Sequence, residues 1–187
     1  MTCCFQFREQ NILEHGKSVN SYFTDLFNFL TKGSCLRYTW RLPAWINDPI
    51  LLDYEYNLEL IKFYHIYHDC GKPFCLTIDE LGRQHFPDHT IASRNRWLQY
   101  SNDCEESKYI AELIEHDMDF HLLNSENILE FANNPNSRLL LLTGLSELHS
   151  NAMMFGGLES TSFKIKWKNA DRFGKRIIKH IKGEING

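Results

Sequence analysis

The chain has 187 residues, 43% of them apolar and 24% charged, with a formal net charge of −4. That is the make-up of an ordinary soluble globular protein, and the length suits one domain that buries roughly two thirds of its unfolded surface. No apolar run approaches the ~20 residues needed to cross a bilayer, the opening "MTCCFQFREQ" lacks the zones of a secretory signal, and "LLLLTGL" (139–145) is far too short, so a cytoplasmic, membrane-free protein is expected.

Taken in chain order, nearly everything reads as helix. Over 11–31, Ile12, Val19, Phe23, Leu26 and Leu30 recur with helical spacing, and Gly33 is a natural stop. His15 falls on the same buried side. Residues 34–49, with Trp40, Pro43, Trp45 and Pro49, read as an irregular, aromatic-rich insertion. A second helix is predicted over about 51–69, stopped by Gly71 and Pro73, and "IDELGRQ" (78–84) reads as a turn or short hairpin.

Asp88 is placed to cap a third helix through about Tyr100. A fourth is predicted over 104–122 with Tyr109, Leu113 and His116 on one stripe, and a short fifth from Ser125. A sixth, 136–155, aligns Leu140, Gly144, Glu147 and Asn151, and a seventh covers 169–182. The expected fold is a single all-α domain over 1–187, a globular bundle of six or seven helices.

Cysteines 3, 4, 35, 70, 75 and 104 contain no C-x-x-C pair and read as reduced thiols. Charge is uneven. Residues 163–187 hold eight Lys/Arg against Asp171 and Glu184, a net +6, which leaves −10 for the remainder. Such a basic tail suits contact with phosphates, or forms a solvated helix face.

Several ionisable residues fall on faces that should be buried: His15, His68, Asp69, His116 and Glu147, with His89 near the start of its own helix. Buried charges are costly unless they are paired or bind a metal. Imidazoles and carboxylates facing one interior are how helical bundles build metal sites. Imidazole and carboxylate without thiolate suit manganese, iron, nickel, cobalt or zinc and argue against a structural zinc; a lone buried histidine, by contrast, is commonly just hydrogen-bonded core.

The doublet in "HDCGKP", with "LEHGKSV" upstream, resembles the HD-domain superfamily of metal-dependent phosphohydrolases, and the similarity runs from residue 15 to about 150. It implies His15 as first ligand, His68 and Asp69 as the doublet, His89 and His116 as the intervening histidines, and Glu147 as the late acid where the family usually has Asp. Asp117 and Asp119 are fallback ligands. In that family one or two divalent ions are held and the doublet Asp bridges them. Two ions ~3.5–4 Å apart activate a bridging water and stabilise charge on a phosphoryl group.

Asp69 and Lys72 are therefore the expected catalytic pair, with Lys72 on a phosphate oxygen or, alternatively, a plain loop lysine. Arg94, Arg96 and His85 are further candidates for substrate binding, though each also suits a solvent-facing position, and His85 could replace His89. Glu14, Glu112 or Asp117 could accept from the ring nitrogens that face away from metal. His65 is either such a partner or packing.

"GKP", "FC" and "HFPDH" most resemble HD modules of tRNA nucleotidyltransferases and of polynucleotide kinases. The implied substrate is a 2′,3′-cyclic or terminal phosphate of RNA or a nucleotide. Trp40, Trp45, Trp97 and Trp167 could stack on bases or pack in the interior. Two alternatives stay open: a hydrolase of (deoxy)nucleoside phosphates or a signalling nucleotide, and a non-catalytic HD module that binds nucleotide or nucleic acid.

Overall fold

The computed structural model describes residues 1–7 and 10–184. Its helices are α1 (Ile12–Lys32), α2 (Leu58–Tyr67), α3 (Lys72–Cys75), α4 (His89–Tyr100), α5 (Glu105–Glu115), α6 (Ile128–Asn133), α7 (Ser137–Ser150) and α8 (Thr161–Ile181). Among the described residues strand is confined to two small antiparallel ladders, β1 (Phe5–Phe7) with β2 (Gln10–Asn11) and β3 (Thr77–Ile78) with β4 (Gln84–His85). The all-α expectation holds, and so does the short hairpin around 78–84. Among the described residues no helix is long and apolar enough to cross a membrane.

The chain forms two compact units. The first is built from Met1–Asn20 and Asn57–Met118, the second from Ser21–Tyr56 and the chain from Asp119 onward.

In the first unit α1 begins with a reciprocal cap. Asn11 N–H donates to Glu14 Oε2 (3.0 Å) while Glu14 N–H donates to Asn11 Oδ1 (2.9 Å), which satisfies two of the open donors of the first turn. Ile12, His15 and Val19 then point inward together. The unit's interior is completed by Ile61 and Tyr64 of α2 and by Ile110, Leu113 and Ile114 of α5. Trp97 of α4 donates its indole N–H to Ser107 O at the start of α5 (2.9 Å).

α2 is shorter than the expected 51–69. Pro49 starts a 3-10 turn, Pro49–Leu52, which uses up Leu51, and Asn57 caps the helix proper by accepting from Leu60 N–H (3.3 Å). α5 ends seven residues before the expected 122. A tight turn at its end, Asp117 N–H to Ile114 O at 3.4 Å, directs Asp117 inward, where it accepts from the Tyr64 hydroxyl (2.6 Å). Asp88 does occupy the position before α4, but its backbone is left-handed (φ 52°) and its side chain makes no capping bond.

In the second unit the aromatic insertion is organised by Asp25. Its buried carboxylate accepts from Arg37 N–H (3.0 and 3.1 Å), Tyr38 N–H (3.1 Å) and Trp40 Nε1–H (3.0 Å). α7 is buried on every side from Leu139 to His149, as a central core helix must be. Its expected extension to 155 is a separate 3-10 turn, Ala152–Phe155, ended by Gly156 in the left-handed region (φ 90°). α6 starts at Ile128, later than Ser125. α8 starts earlier than the expected 169, because Ser160 accepts from Phe163 N–H (3.1 Å) and caps it there.

Candidate metal centre

The site in the first unit is made possible by two glycines. His15 sits one residue before Gly16, whose Cα approaches the backbone of α2 closely. A Cβ there would stand 2.6 Å from His65 O and 2.7 Å from Ile66 O. α1 therefore rests on the α2 backbone, and the His15 and His68 rings meet edge to face, centroids 5.1 Å apart. Gly71 plays the same part after the doublet: its N–H donates to Ser93 Oγ (2.9 Å), and any Cβ would overlap the Ala92–Ser93 backbone of α4. That close approach brings the start of α4, and His89 with it, up to Asp69.

α2 stops at Tyr67, and His68 continues in helical conformation as its cap. The chain then turns through Asp69 to Gly71 into α3, whose first residue, Lys72, falls one turn after Asp69. Lys72 Nζ donates to Asp69 Oδ2 at 2.6 Å.

Three imidazoles converge on this carboxylate. His68 Nε2 lies 3.3 Å and His15 Nε2 3.7 Å from Asp69 Oδ2, while His89 Nε2 lies 3.5 Å from Oδ1. His15, His68 and Asp69 are buried and His89 half-buried. The three spacings exceed the 2.7–3.2 Å of good hydrogen bonds. They lie close to the separation of donors sharing one ion, since two atoms each ~2.1 Å from a metal at 90–109° stand ~3.0–3.4 Å apart. His15 and His68 each offer a ring nitrogen within 4.8 Å of the other, close enough to share an ion. This buried group could hold a metal ion.

Ring orientation is set from behind. His68 Nδ1–H donates to His65 O (2.7 Å) and His89 Nδ1–H to Phe86 O (3.0 Å), which turns both Nε2 atoms toward Asp69. For these two rings the acceptors are backbone carbonyls, not Glu14, Glu112 or Asp117. Glu14 Oε2 accepts in the α1 cap, and Asp117 Oδ1 accepts from the Tyr64 hydroxyl. His65, fully buried, serves through its carbonyl, and its own Nδ1 lies 3.3 Å from Asn20 Oδ1.

Burial alone would raise the Asp69 pKa. The imidazole of His68 at 3.3 Å, the Lys72 ammonium and, further off, the His15 ring outweigh it electrostatically and hold the carboxyl below its usual range. The adjoining Cys70 thiol is pushed up to about 11 by burial and by Asp69, so it is protonated at neutral pH. All six cysteines are free thiols, as the sequence suggests.

The remaining candidates are placed as follows. His116 is half-buried at the end of α5, its N–H on Glu112 O (3.2 Å), and is not part of a continuing helical stripe. His85 is exposed on β4, its Nε2 3.0 Å from Asp79 Oδ2. Arg94 pairs with Glu115 (2.9 Å), and Arg96 lies with its guanidinium 3.8 Å over the Phe74 ring. In the second unit Glu147 is buried on α7; its Oε2 lies 2.7 Å from His121 Nε2 and its Oε1 accepts from Asn151 Nδ2 (3.3 Å). Asn151 shares the face of Glu147, which sequence spacing shows, but nothing in the sequence marks His121 as a partner.

None of the four tryptophans is fully exposed. Trp45 is buried with its N–H on Asp171 O (3.1 Å), Trp167 donates to Arg41 O (2.6 Å), and Trp40 and Trp97 donate to Asp25 and Ser107. Of the two alternatives, stacking on bases or packing, the structure shows packing contacts: each indole N–H ties two segments together.

The basic segment is likewise no loose tail. α8 buries Phe163, Ala170, Phe173, Gly174, Ile177 and Ile178 in the second unit and turns Lys168, Arg172, Lys175, Arg176 and Lys179 to solvent. Residues 185–187 of that segment lie outside the described residues. No protein-family model matches the chain, and no curated protein or solved structure matches it.

Proposed function

We propose that the protein is a metal-dependent phosphohydrolase of the HD type, acting on a cyclic or terminal phosphate ester of RNA or of a nucleotide. The observation that carries this is the convergence of the His15, His68 and His89 Nε2 atoms on Asp69 at co-ligand spacing, with the His68 and His89 rings fixed by backbone carbonyls. His15, His68, Asp69 and His89 would hold the ion, drawn from manganese, iron, cobalt, nickel or zinc. A bound divalent ion lowers the pKa of its water and withdraws charge from a phosphoryl oxygen.

The chain's own residues do the rest. Asp69, kept ionised by its cationic neighbours, stays available as an anionic ligand at any physiological pH. Lys72 places an ammonium beside it and would offer a phosphate oxygen a compact point charge. His68 and His89 cannot swing away without losing their carbonyl partners.

The test is direct. Purified protein should contain a substoichiometric to stoichiometric transition metal by elemental analysis and hydrolyse a generic phosphodiester in manganese. His68→Ala and Asp69→Ala should each lower metal affinity at least about 100-fold, the upper end of what the loss of a mere supporting partner produces. Retention of both metal and hydrolysis in these variants would refute the assignment.

A second reading draws on the 2.6 Å Lys72–Asp69 contact. A lysine that already neutralises the carboxylate is also what a non-catalytic HD module would contain, with binding kept and chemistry lost. Hydrolysis that stays absent across cyclic phosphates, deoxynucleoside triphosphates and RNA ends in every metal would favour it.

A further inference from the structure

The first unit carries an open groove of about 580 Å³, lined by Phe63, Tyr67, Phe74, Arg96, Trp97 and Tyr100. It lies along the outer sides of α2 and α4. Phe63 and Tyr67 stand four residues apart on α2 and point away from the buried Tyr64, His65 and His68. Phe63, Phe74 and Tyr100 are 47%, 61% and 77% exposed. Leaving three large aromatic side chains together in water is unfavourable for folding alone, and such a patch points to a ligand.

Its chemistry narrows what that ligand is. The rings form a connected set, with Trp97 5.4 Å from Tyr67 and 6.3 Å from Phe63 between centroids. Trp97, on the floor, is anchored to α5 through its hydrogen bond to Ser107 O. Among the described residues Arg96 is the one charged side chain lining the groove, and its guanidinium carbon lies 3.8 Å from the Phe74 ring centroid while Nη1 donates to Gln99 Oε1 (2.8 Å). A cation laid on an aromatic ring, next to further open π faces, complements a planar π system that carries an anion. Protein partners also use arginine and aromatic rings, so a second copy of the chain is kept as an outcome of the test.

We infer that this groove binds a phosphorylated nucleoside, its base stacked on the open faces of Phe74 and Tyr100 and its phosphate on Arg96. The nucleoside is either free or the end of a single strand. Binding stands on the groove itself; only the further step, that the bound nucleotide carries the ester to be cut, rests on the phosphohydrolase reading.

The experiment is isothermal titration calorimetry in EDTA, which keeps metal chemistry out of the measurement. The probes are adenosine 5′-monophosphate, a ten-residue single strand and inorganic phosphate. The expected result is heat with the first two and none with phosphate. A strand that binds much more tightly than the mononucleotide identifies a nucleic-acid end as the source; equal affinities identify a free nucleotide. Phe74→Ala and Tyr100→Ala should each weaken binding about 5- to 150-fold, and Arg96→Gln should weaken it and flatten its salt dependence. Both aromatic positions are exposed, so circular dichroism should show folded variants.

Absent binding of both nucleotide probes, or unchanged affinity in all three variants, overturns the inference. So does dimerisation of the wild type that Phe74→Ala abolishes, since a second copy would then be the occupant. Hydrolysis of bis-p-nitrophenyl phosphate with manganese, scored separately, shows whether the phosphohydrolase assignment has failed instead.

Discussion

Lys72 Nζ and Asp69 Oδ2 are 2.6 Å apart, with side chains 11% and 2% exposed, so a lysine one turn along the chain neutralises the carboxylate on which three imidazoles converge. Removing one partner of such a buried pair leaves the other charge stranded, which typically costs about 3–5 kcal/mol. Lys72→Met should therefore lower stability by that order in urea titrations made in EDTA. Manganese should then raise the melting temperature of the variant more than that of the wild type, because the ion takes over the role of the lost ammonium. An equal manganese shift in both proteins would contradict a cation site at Asp69.

Gly16→Ala tests the contact between α1 and α2. The added methyl would sit 2.6–2.7 Å from two backbone carbonyl oxygens, which cannot rotate away as a side chain could. Overpacking of this kind costs roughly 1–3 kcal/mol. Separation of the helices would also draw His15 from His68, so metal affinity should fall together with stability. A surface control such as Lys62→Ala, at an exposed position of α2, should change neither.

Asp25 gives the expected acid response. Burial acts to raise its pKa, but hydrogen bonds from Trp40, Arg37 and Tyr38 lower it below the ordinary value. A carboxylate depressed by folding contributes stability that is fully present above its unfolded pKa, about 3.9, and is lost as pH falls from there toward the folded value. Stability measured in urea should decline as the pH drops below about 4. Asp25→Asn should be weaker than the wild type at pH 7 yet lose less over the same interval. Asp69 responds in the same direction, so the difference between the two proteins isolates Asp25.

For α8, deletion is an unfair test, because the helix carries Phe163, Phe173 and Ile177 of the second unit's core. Changing the exposed Lys175, Arg176 and Lys179 to glutamine keeps the fold and removes three charges. If this face contacts nucleic acid, the slope of log affinity against log salt for a single strand should fall by about 2. An unchanged slope in a fluorescence-anisotropy titration would identify an ordinary solvated face.

How much of this was legible in the sequence depends on which force decides each feature. Helical spacing puts Ile12, His15 and Val19 on one buried stripe, and it puts Glu147 of α7 and Asn151 at the end of that helix on one side, because apolar burial governs both. The His68–Asp69 doublet was readable as a motif. Helix ends were less so: α5 stops at Glu115 because Asp117 turns in to Tyr64, a contact 53 residues away in sequence that no local pattern encodes. The choice between stacking and packing for the tryptophans was open for a related reason. Their composition suggests stacking surfaces, but each indole N–H found a distant oxygen, and such partners are set by tertiary packing. His121 beside Glu147 is of the same kind.

The two glycines that follow the ligand candidates have one more consequence. Where main chain touches main chain, no rotamer stands between two elements, so the gap is set by covalent geometry alone and works as a fixed ruler. His15 and His89 are held to the doublet by two such rulers, at Gly16 and Gly71. An arriving cation would meet donors already spaced for it, and little of its binding energy would be spent on rearranging the protein.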